Sequence, residues 1–114
     1  MKVNILGTDY DVIVDAADNP EMKDCDGYCY TCAHEIHVKD LSTDNEWKNE
    51  PDSVIRQRAK QVLRHEIIHA FLYESGLYGS SLSSDRWALN EEMVDWLAIQ
   101  FPKILKAFED VGCI

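Results

Sequence analysis

The stretch His65-Glu66-Ile67-Ile68-His69 decides the fold of this chain, since it places two histidines four positions apart inside a helical pattern. Apolar residues recur at helical intervals around it, which predicts a helix from about Asp52 to Glu74, ending before Gly76. Residues four apart on a helix share a face, so the two imidazoles can reach a single metal ion. Glu66 would lie beside that face, where its carboxylate can contact a metal-bound water without binding the metal.

An acidic segment further along the chain supplies candidates for a third metal ligand. The chain reads Asn90-Glu91-Glu92-Met93-Val94-Asp95, near the start of a second helix predicted from about Ala88 to Glu109. Glu91 and Asp95 are four apart, so one carboxylate can bind the metal while the other accepts the N–H of a ligating imidazole. Glu92 points about 100° away on a helical wheel and is the weaker candidate.

The two motifs together carry a family resemblance. HExxH at 65–69 followed by Asn90-Glu91-x-x-x-Asp95 resembles the gluzincin pattern of zinc metallopeptidases. Residues 91–98 are also similar to a segment of ImmA/IrrE-type metallopeptidases, common in phages and mobile elements, although Asp95 replaces an asparagine of that segment. The resemblance covers roughly residues 54–100. It implies that His65, His69 and Glu91 bind one Zn²⁺ per chain and that Asp95 supports a ligating histidine.

The first 50 residues predict a small sheet that precedes these helices. Val3–Leu6 and Tyr10–Val14 form a predicted hairpin with Gly7-Thr8-Asp9 as its turn. Residues 15–26 are predicted to be a loop, and residues 28–39 a third strand. Residues 78–86 are predicted to be a flexible linker, and Pro102 is expected to kink or interrupt the last helix.

These elements predict a single α+β domain over residues 1–114, with a three-stranded antiparallel or mixed sheet packed against two helices. The resemblance implies a zincin-like minimal core in which a strand edge near the HExxH helix binds substrate as an extended peptide. Residues 28–39 are the candidate for that edge. Strand alternation would place His34, Ile36 and Val38 on one face, and Glu35, His37 and Lys39 on the other.

The cysteines leave two alternatives open. Cys25, Cys29 and Cys32 are clustered, and with His34 or His37 they could form a second zinc site, or one of them could serve as the third ligand. Free thiols are the expected state, because the spacing lacks a second distal pair.

The net charge of the chain limits the classes of partner that it is expected to bind. The chain has a net charge of −10, with 21 acidic and 11 basic residues, which disfavours nucleic acid and anionic membranes as partners. No signal peptide or membrane-spanning run is evident, so a cytoplasmic location is expected. The sequence leaves the oligomeric state open.

The predicted function is that of a zinc metallopeptidase making a limited cut in a specific protein, with Glu66 as general base. The donor to the oxyanion is left open among His34, His37, Tyr73 and Tyr78, with Tyr28 also eligible. One alternative is a zinc-stabilised interaction module without turnover. Another is a small amidohydrolase with the same chemistry. Fe(II) uses the same ligand set as zinc.

Overall fold

The computed structural model describes residues 1–80 and 87–114 and shows an α+β fold with a four-stranded mixed sheet. The strands are β1 (Lys2–Ile5), β2 (Thr8–Asp15), β3 (Gly27–Tyr30) and β4 (Glu35–Lys39). Their order is β1-β2-β4-β3, with β2 and β4 parallel and the two outer pairs antiparallel. The prediction of three strands is therefore wrong, and β3 forms one edge of the sheet.

The extra strand arises because residues 28–39 turn back on themselves. A 3₁₀ turn at Thr31–Ala33 is followed by His34 in the left-handed region, with φ of 57°. No glycine or proline marks this turn in the sequence, so strand propensity alone predicts one continuous strand over residues 28–39. Ile36 and Val38 are buried, as the predicted alternation requires, but His34 stands at the turn and outside the strand.

The connections also differ in detail from the prediction. The β1–β2 turn is the pair Leu6 and Gly7, with φ of 50° and 98°, as in a two-residue type I′ turn. The segment predicted as a loop before β3 contains a short 3₁₀ turn at Pro20–Met22, and the Met22 side chain is fully buried. This segment therefore contributes to the core.

Three α-helices follow the sheet in the described part of the chain. The first, α1 (Asp52–Glu74), has the bounds that the sequence predicts. A short α2 spans Leu77–Ser80, where the sequence predicted the start of a linker, and the remainder of that linker, residues 81–86, lies outside the described residues. The third, α3 (Glu91–Asp110), begins later than predicted because the Asn90 side chain caps it by accepting from the Met93 N–H at 2.7 Å.

Helix α1 lies between the sheet and α3. One face packs on the sheet in a buried cluster of Ile5, Tyr10, Ile36, Val38, Val62 and Ala70. A second cluster of Leu72, Ala88 and Val94 joins α1 to the start of α3. At the end of α1, Glu74 accepts hydrogen bonds from Tyr10 and Thr8 of β2, at 2.7 and 3.0 Å. No helix in the described part of the chain is long and apolar enough to cross a membrane.

Pro102 does not interrupt α3, which continues through it to Asp110. A proline has no N–H, so the carbonyl four residues earlier, that of Ala98, loses its helical partner. The Nε of Arg64 on α1 donates to this Ala98 oxygen at 2.5 Å. An interhelical hydrogen bond thus replaces the missing intrahelical one and ties α1 to α3.

This replacement predicts that Arg64 and Pro102 are energetically coupled. Arg64→Met should lower the free energy of unfolding by about 1–3 kcal/mol, because it leaves a helical carbonyl without a donor. In a Pro102→Ala background the loss should be much smaller, because the Ala N–H can serve that carbonyl. Urea unfolding of both single variants and the double variant measures the coupling, and additive losses would contradict it.

Gly27, at the start of β3, is required by the close approach of this strand to α1. A Cβ built there would meet the His37 carbonyl oxygen and Val62 Cγ1, both at 2.9 Å, and Glu66 Cγ at 3.1 Å. Real Cβ atoms do not approach backbone so closely, so any larger residue must push β3 away from α1. The sequence shows Gly27 only as a turn or breaker signal.

We expect Gly27→Ala to lower the free energy of unfolding by about 1–3 kcal/mol through overpacking. The matched control is Gly79→Ala in α2, where an added Cβ meets nothing within 4 Å. The control should leave stability unchanged or slightly raised, since alanine favours helix. Urea denaturation of both variants is the measurement, and equal effects would show that β3 and α1 are not tightly packed.

Candidate metal centre

Two imidazoles on one face of α1 converge at the surface that this helix turns toward α3. The Nε2 atoms of His65 and His69 lie 3.0 Å apart, and their ring centroids are 4.7 Å apart. This convergence follows from their spacing, since one helical turn separates them. Both side chains are 19% exposed, so the pair is shielded and still reachable from solvent.

The first turn of α3 brings two carboxylates to this pair. Glu91 Oε2 lies 3.1 Å from His65 Nε2, and Glu91 Oε1 lies 3.3 Å from His69 Nε2. Asp95 Oδ1 lies 2.8 Å from the other ring nitrogen of His65, Nδ1. A proton on Nδ1, donated to Asp95, leaves the Nε2 lone pair facing His69 and Glu91.

The donor atoms fit a metal ion in both type and spacing. Ligand atoms about 2.0–2.2 Å from a tetrahedral zinc ion lie about 3.3–3.6 Å apart. The two Nε2 atoms are 3.0 Å apart, which is close to that range. Glu91 Oε2 lies 3.1 Å from His65 Nε2, and Glu91 Oε1 lies 3.3 Å from His69 Nε2, so these separations are also close to it. Glu66 also has a donor atom within 4.8 Å of both imidazole donors. Glu91 is the stronger candidate for third ligand, because its oxygens contact both Nε2 atoms directly.

Glu66 is the buried member of the site, with 5% of its surface exposed. The pKa of Glu66 is raised to about 7, mainly by burial. The electrostatic effect of His65 lowers this pKa, and the charges of Glu91 and Asp95 raise it. Burial also lowers the pKa of His69, which favours the neutral imidazole that binds metals. The site thus holds a buried carboxyl group beside two imidazoles, and burial favours the neutral form of one of them, His69.

The site opens into a cleft of about 510 Å³ between the sheet edge and the two helices. Residues 25–29, which include the start of β3, form one wall, and Leu89, Glu91 and Asp95 form the other. Gly27 brings the first wall against α1 near Glu66. The edge strand therefore runs beside the candidate metal ligands.

A network of charged side chains fixes the wall that contains β3. Asp26 accepts from Arg58 of α1 at 2.7 and 3.2 Å, and its carboxylate lies 3.4 Å from Lys39 of β4. Lys39 also pairs with Asp44 at 2.8 Å. Burial alone would lower the pKa of Lys39, but the carboxylates of Asp44 and Asp26 raise it. This network could not be predicted from the sequence, because Asp26 lies 13 residues from Lys39 and 32 residues from Arg58.

Of the five candidate oxyanion donors, two tyrosines line the cleft and the other three residues do not. Tyr78 lines the cleft. The Tyr73 ring packs against the Tyr78 ring, with 5.7 Å between their centroids. Tyr73 is not among the described residues that line the cleft. His34 and His37 are also outside the cleft, and Tyr28, on β3, lines it.

Both of these histidines have other partners. The His34 ring lies 5.3 Å from that of Tyr10. His37 contacts Asp15 at 2.7 Å and Glu35 at 3.2 Å. Burial opposes a charge on His37, yet these two carboxylates raise its pKa. His37 lies on the face of β4 opposite the buried Ile36 and Val38, as strand alternation predicts.

No cysteine belongs to a metal-binding cluster in the described part of the chain, where the group with suitable spacing is His65, Glu66 and His69, with Glu91 in contact with both imidazoles. All four cysteines are free. Cys25 and Cys29 line the cleft, and burial raises the pKa of the Cys29 thiol to about 12. Burial thus opposes the thiolate form of Cys29, which is the form that binds metals.

The arrangement can hold a divalent cation and place a carboxyl group beside it, in a cleft bordered by a strand edge. Comparisons of the chain with known protein families, curated proteins and solved structures found no match.

Glu91 and Glu92 provide a matched test of the metal centre. Glu91→Gln should remove most of the bound zinc from protein purified without added metal, because it replaces the carboxylate that contacts both imidazoles. Glu92→Gln makes the same change of charge one residue along α3 and should keep the zinc. The measurement is zinc per chain by elemental mass spectrometry, and equal zinc in both variants would exclude Glu91 as a ligand.

Proposed function

We propose that this protein is a zinc-dependent metallopeptidase. The observation that carries the proposal is the convergence of His65, His69 and Glu91 beside the buried Glu66, in a cleft walled by a sheet edge. Two imidazoles and one carboxylate form a ligand set used by hydrolytic zinc sites. Bound there, zinc would supply a Lewis acid that activates water and polarises a carbonyl group.

Glu66 is the general base in this proposal. Its carboxylate takes a proton from water as the water oxygen attacks the carbonyl carbon of the peptide bond. The carbon–nitrogen bond then breaks, and Glu66 passes the proton to the leaving nitrogen. A pKa raised to about 7 by burial suits a group that must accept and release a proton near neutral pH.

Asp95 is a positioning residue in this scheme. Its contact with His65 Nδ1, at 2.8 Å, fixes which nitrogen carries the proton and holds the ring so that Nε2 faces Glu91. Tyr78 is the candidate donor to the oxyanion, because it lines the cleft while Tyr73 packs behind it. Tyr28 also borders the cleft, but its ring stacks on that of His37, with 4.5 Å between the ring centroids.

The edge strand supports a peptide as the substrate. β3 pairs with β4 on one side, and its other side is an edge of the sheet that lines the cleft. An extended peptide can pair with such an edge through its backbone, which would lay a scissile bond across the site. A free edge of this kind favours a peptide over the small substrates of an amidohydrolase.

Glu66→Gln tests the chemistry apart from metal binding. The substitution preserves shape and removes the base, so we expect zinc to stay bound and hydrolysis to fall by at least about 100-fold. Cleavage of a random dodecapeptide library, read by mass spectrometry, gives the rate and the preferred sites. Glu50→Gln, an exposed change before α1, is the control and should cut at the wild-type rate.

Two results would contradict the proposal. Glu66→Gln cutting at the wild-type rate would exclude Glu66 as the base. A zinc-loaded wild-type protein that cleaves no peptide of the library would favour the alternative function, a zinc-stabilised interaction module.

A further inference from the structure

A second pocket, of about 530 Å³, lies at the start of α3 on a different face from the candidate metal centre. It is lined by Trp87, Asn90, Glu92, Met93 and Trp96. Glu92 and Trp96 are four residues apart, so they share a face of the helix, as Glu91 and Asp95 do one position earlier. The first turns of α3 thus present two such pairs side by side.

The two tryptophans are unusually exposed for their size. Trp87 is 59% exposed and Trp96 is 54% exposed, although each indole carries a large apolar surface. Neither belongs to a buried cluster of the described residues. The folded domain therefore gains little from burying them, whereas exposed tryptophans beside a pocket are typical of binding hot spots.

The chemistry of the pocket favours a cation. Indole rings attract a guanidinium or ammonium group over their faces, and Glu92 adds a carboxylate at the same pocket. The chain already makes one such contact, because Arg58 lies over the Trp47 ring at 5.7 Å from its centroid. A net charge of −10 also draws basic partners toward this protein.

We propose that this pocket binds an arginine side chain of a protein partner. The guanidinium would stack on the indoles of Trp87 and Trp96 and pair with the Glu92 carboxylate. Arginine fits better than lysine because its flat group can stack on an aromatic ring and hydrogen-bond to a carboxylate in its own plane. Asn90 also lines the pocket, and its side-chain oxygen is already engaged as the cap of α3.

The proposal does not rest on the peptidase activity. The residues that line this pocket do not include His65, Glu66, His69 or Glu91, so the pocket can anchor a partner with or without metal. If the protein is a peptidase, the same pocket would hold a basic region of the partner beside the cleft. Binding can then be measured separately from hydrolysis.

The indole N–H signals of ¹⁵N-labelled protein give a direct test, because the chain has 3 tryptophans. The probe is the peptide acetyl-Gly-Arg-Gly-amide, titrated into the wild-type protein. We expect the signals of Trp87 and Trp96 to shift, while that of Trp47, already covered by Arg58, stays in place. The matching citrulline peptide, neutral and nearly the same shape, should bind at least about fivefold more weakly.

Two variants with the same change of charge test whether Glu92 is the carboxylate that pairs with the arginine side chain. Glu92→Gln should weaken binding of the arginine peptide several-fold, and Glu109→Gln, exposed near the other end of α3, should leave it unchanged. No shift of Trp87 and Trp96 would overturn the proposal. Equal binding of the citrulline peptide would overturn it in favour of an apolar or neutral ligand. Shifts of the same signals on raising protein concentration alone would overturn it in favour of a second copy of the chain.

Discussion

The contact of His65 with two carboxylates of α3 is the interaction on which the account of this site depends. Glu91 and Asp95 approach opposite nitrogens of one imidazole, at 3.1 and 2.8 Å, so the ring is held between them. This geometry requires α1 and α3 to pack in one relative position. The cluster of Leu72, Ala88 and Val94 and the bond from Arg64 to the Ala98 carbonyl provide that packing.

The electrostatics of the cleft favour a bound cation. Three acidic side chains, Glu66, Glu91 and Asp95, lie around two imidazoles, and burial lowers the pKa of one of them, His69. Like charges confined in one site raise each other's free energy, and the raised pKa of Glu66 reflects this together with its burial. A divalent cation bound by His65, His69 and Glu91 would offset that repulsion and hold Glu66 as a carboxylate. Metal binding should therefore also stabilise the fold.

Periodic and local features could be predicted from the sequence, and contacts between distant segments could not. The bounds of α1 follow from apolar spacing and from Pro51 before it, and the meeting of His65 with Asp95 follows from two i, i+4 pairs. The division of residues 28–39 into two strands had no turn signal, because His34 adopts φ of 57° without glycine. Alternation places His37 on the face of the strand opposite Ile36 and Val38, but which of the two faces packs on α1 depends on contacts between distant segments.

X-ray absorption at the zinc edge, on protein purified without added metal, tests directly whether His65 and His69 bind a zinc ion. The account predicts a first shell of nitrogen and oxygen at about 2.0–2.2 Å, with the outer-shell scattering of two imidazoles. Sulfur at about 2.3 Å would place the zinc on the cysteines instead and contradict the account. Zinc coordinated by oxygen alone, without imidazole scattering, would contradict it equally, because His65 and His69 would then not be ligands.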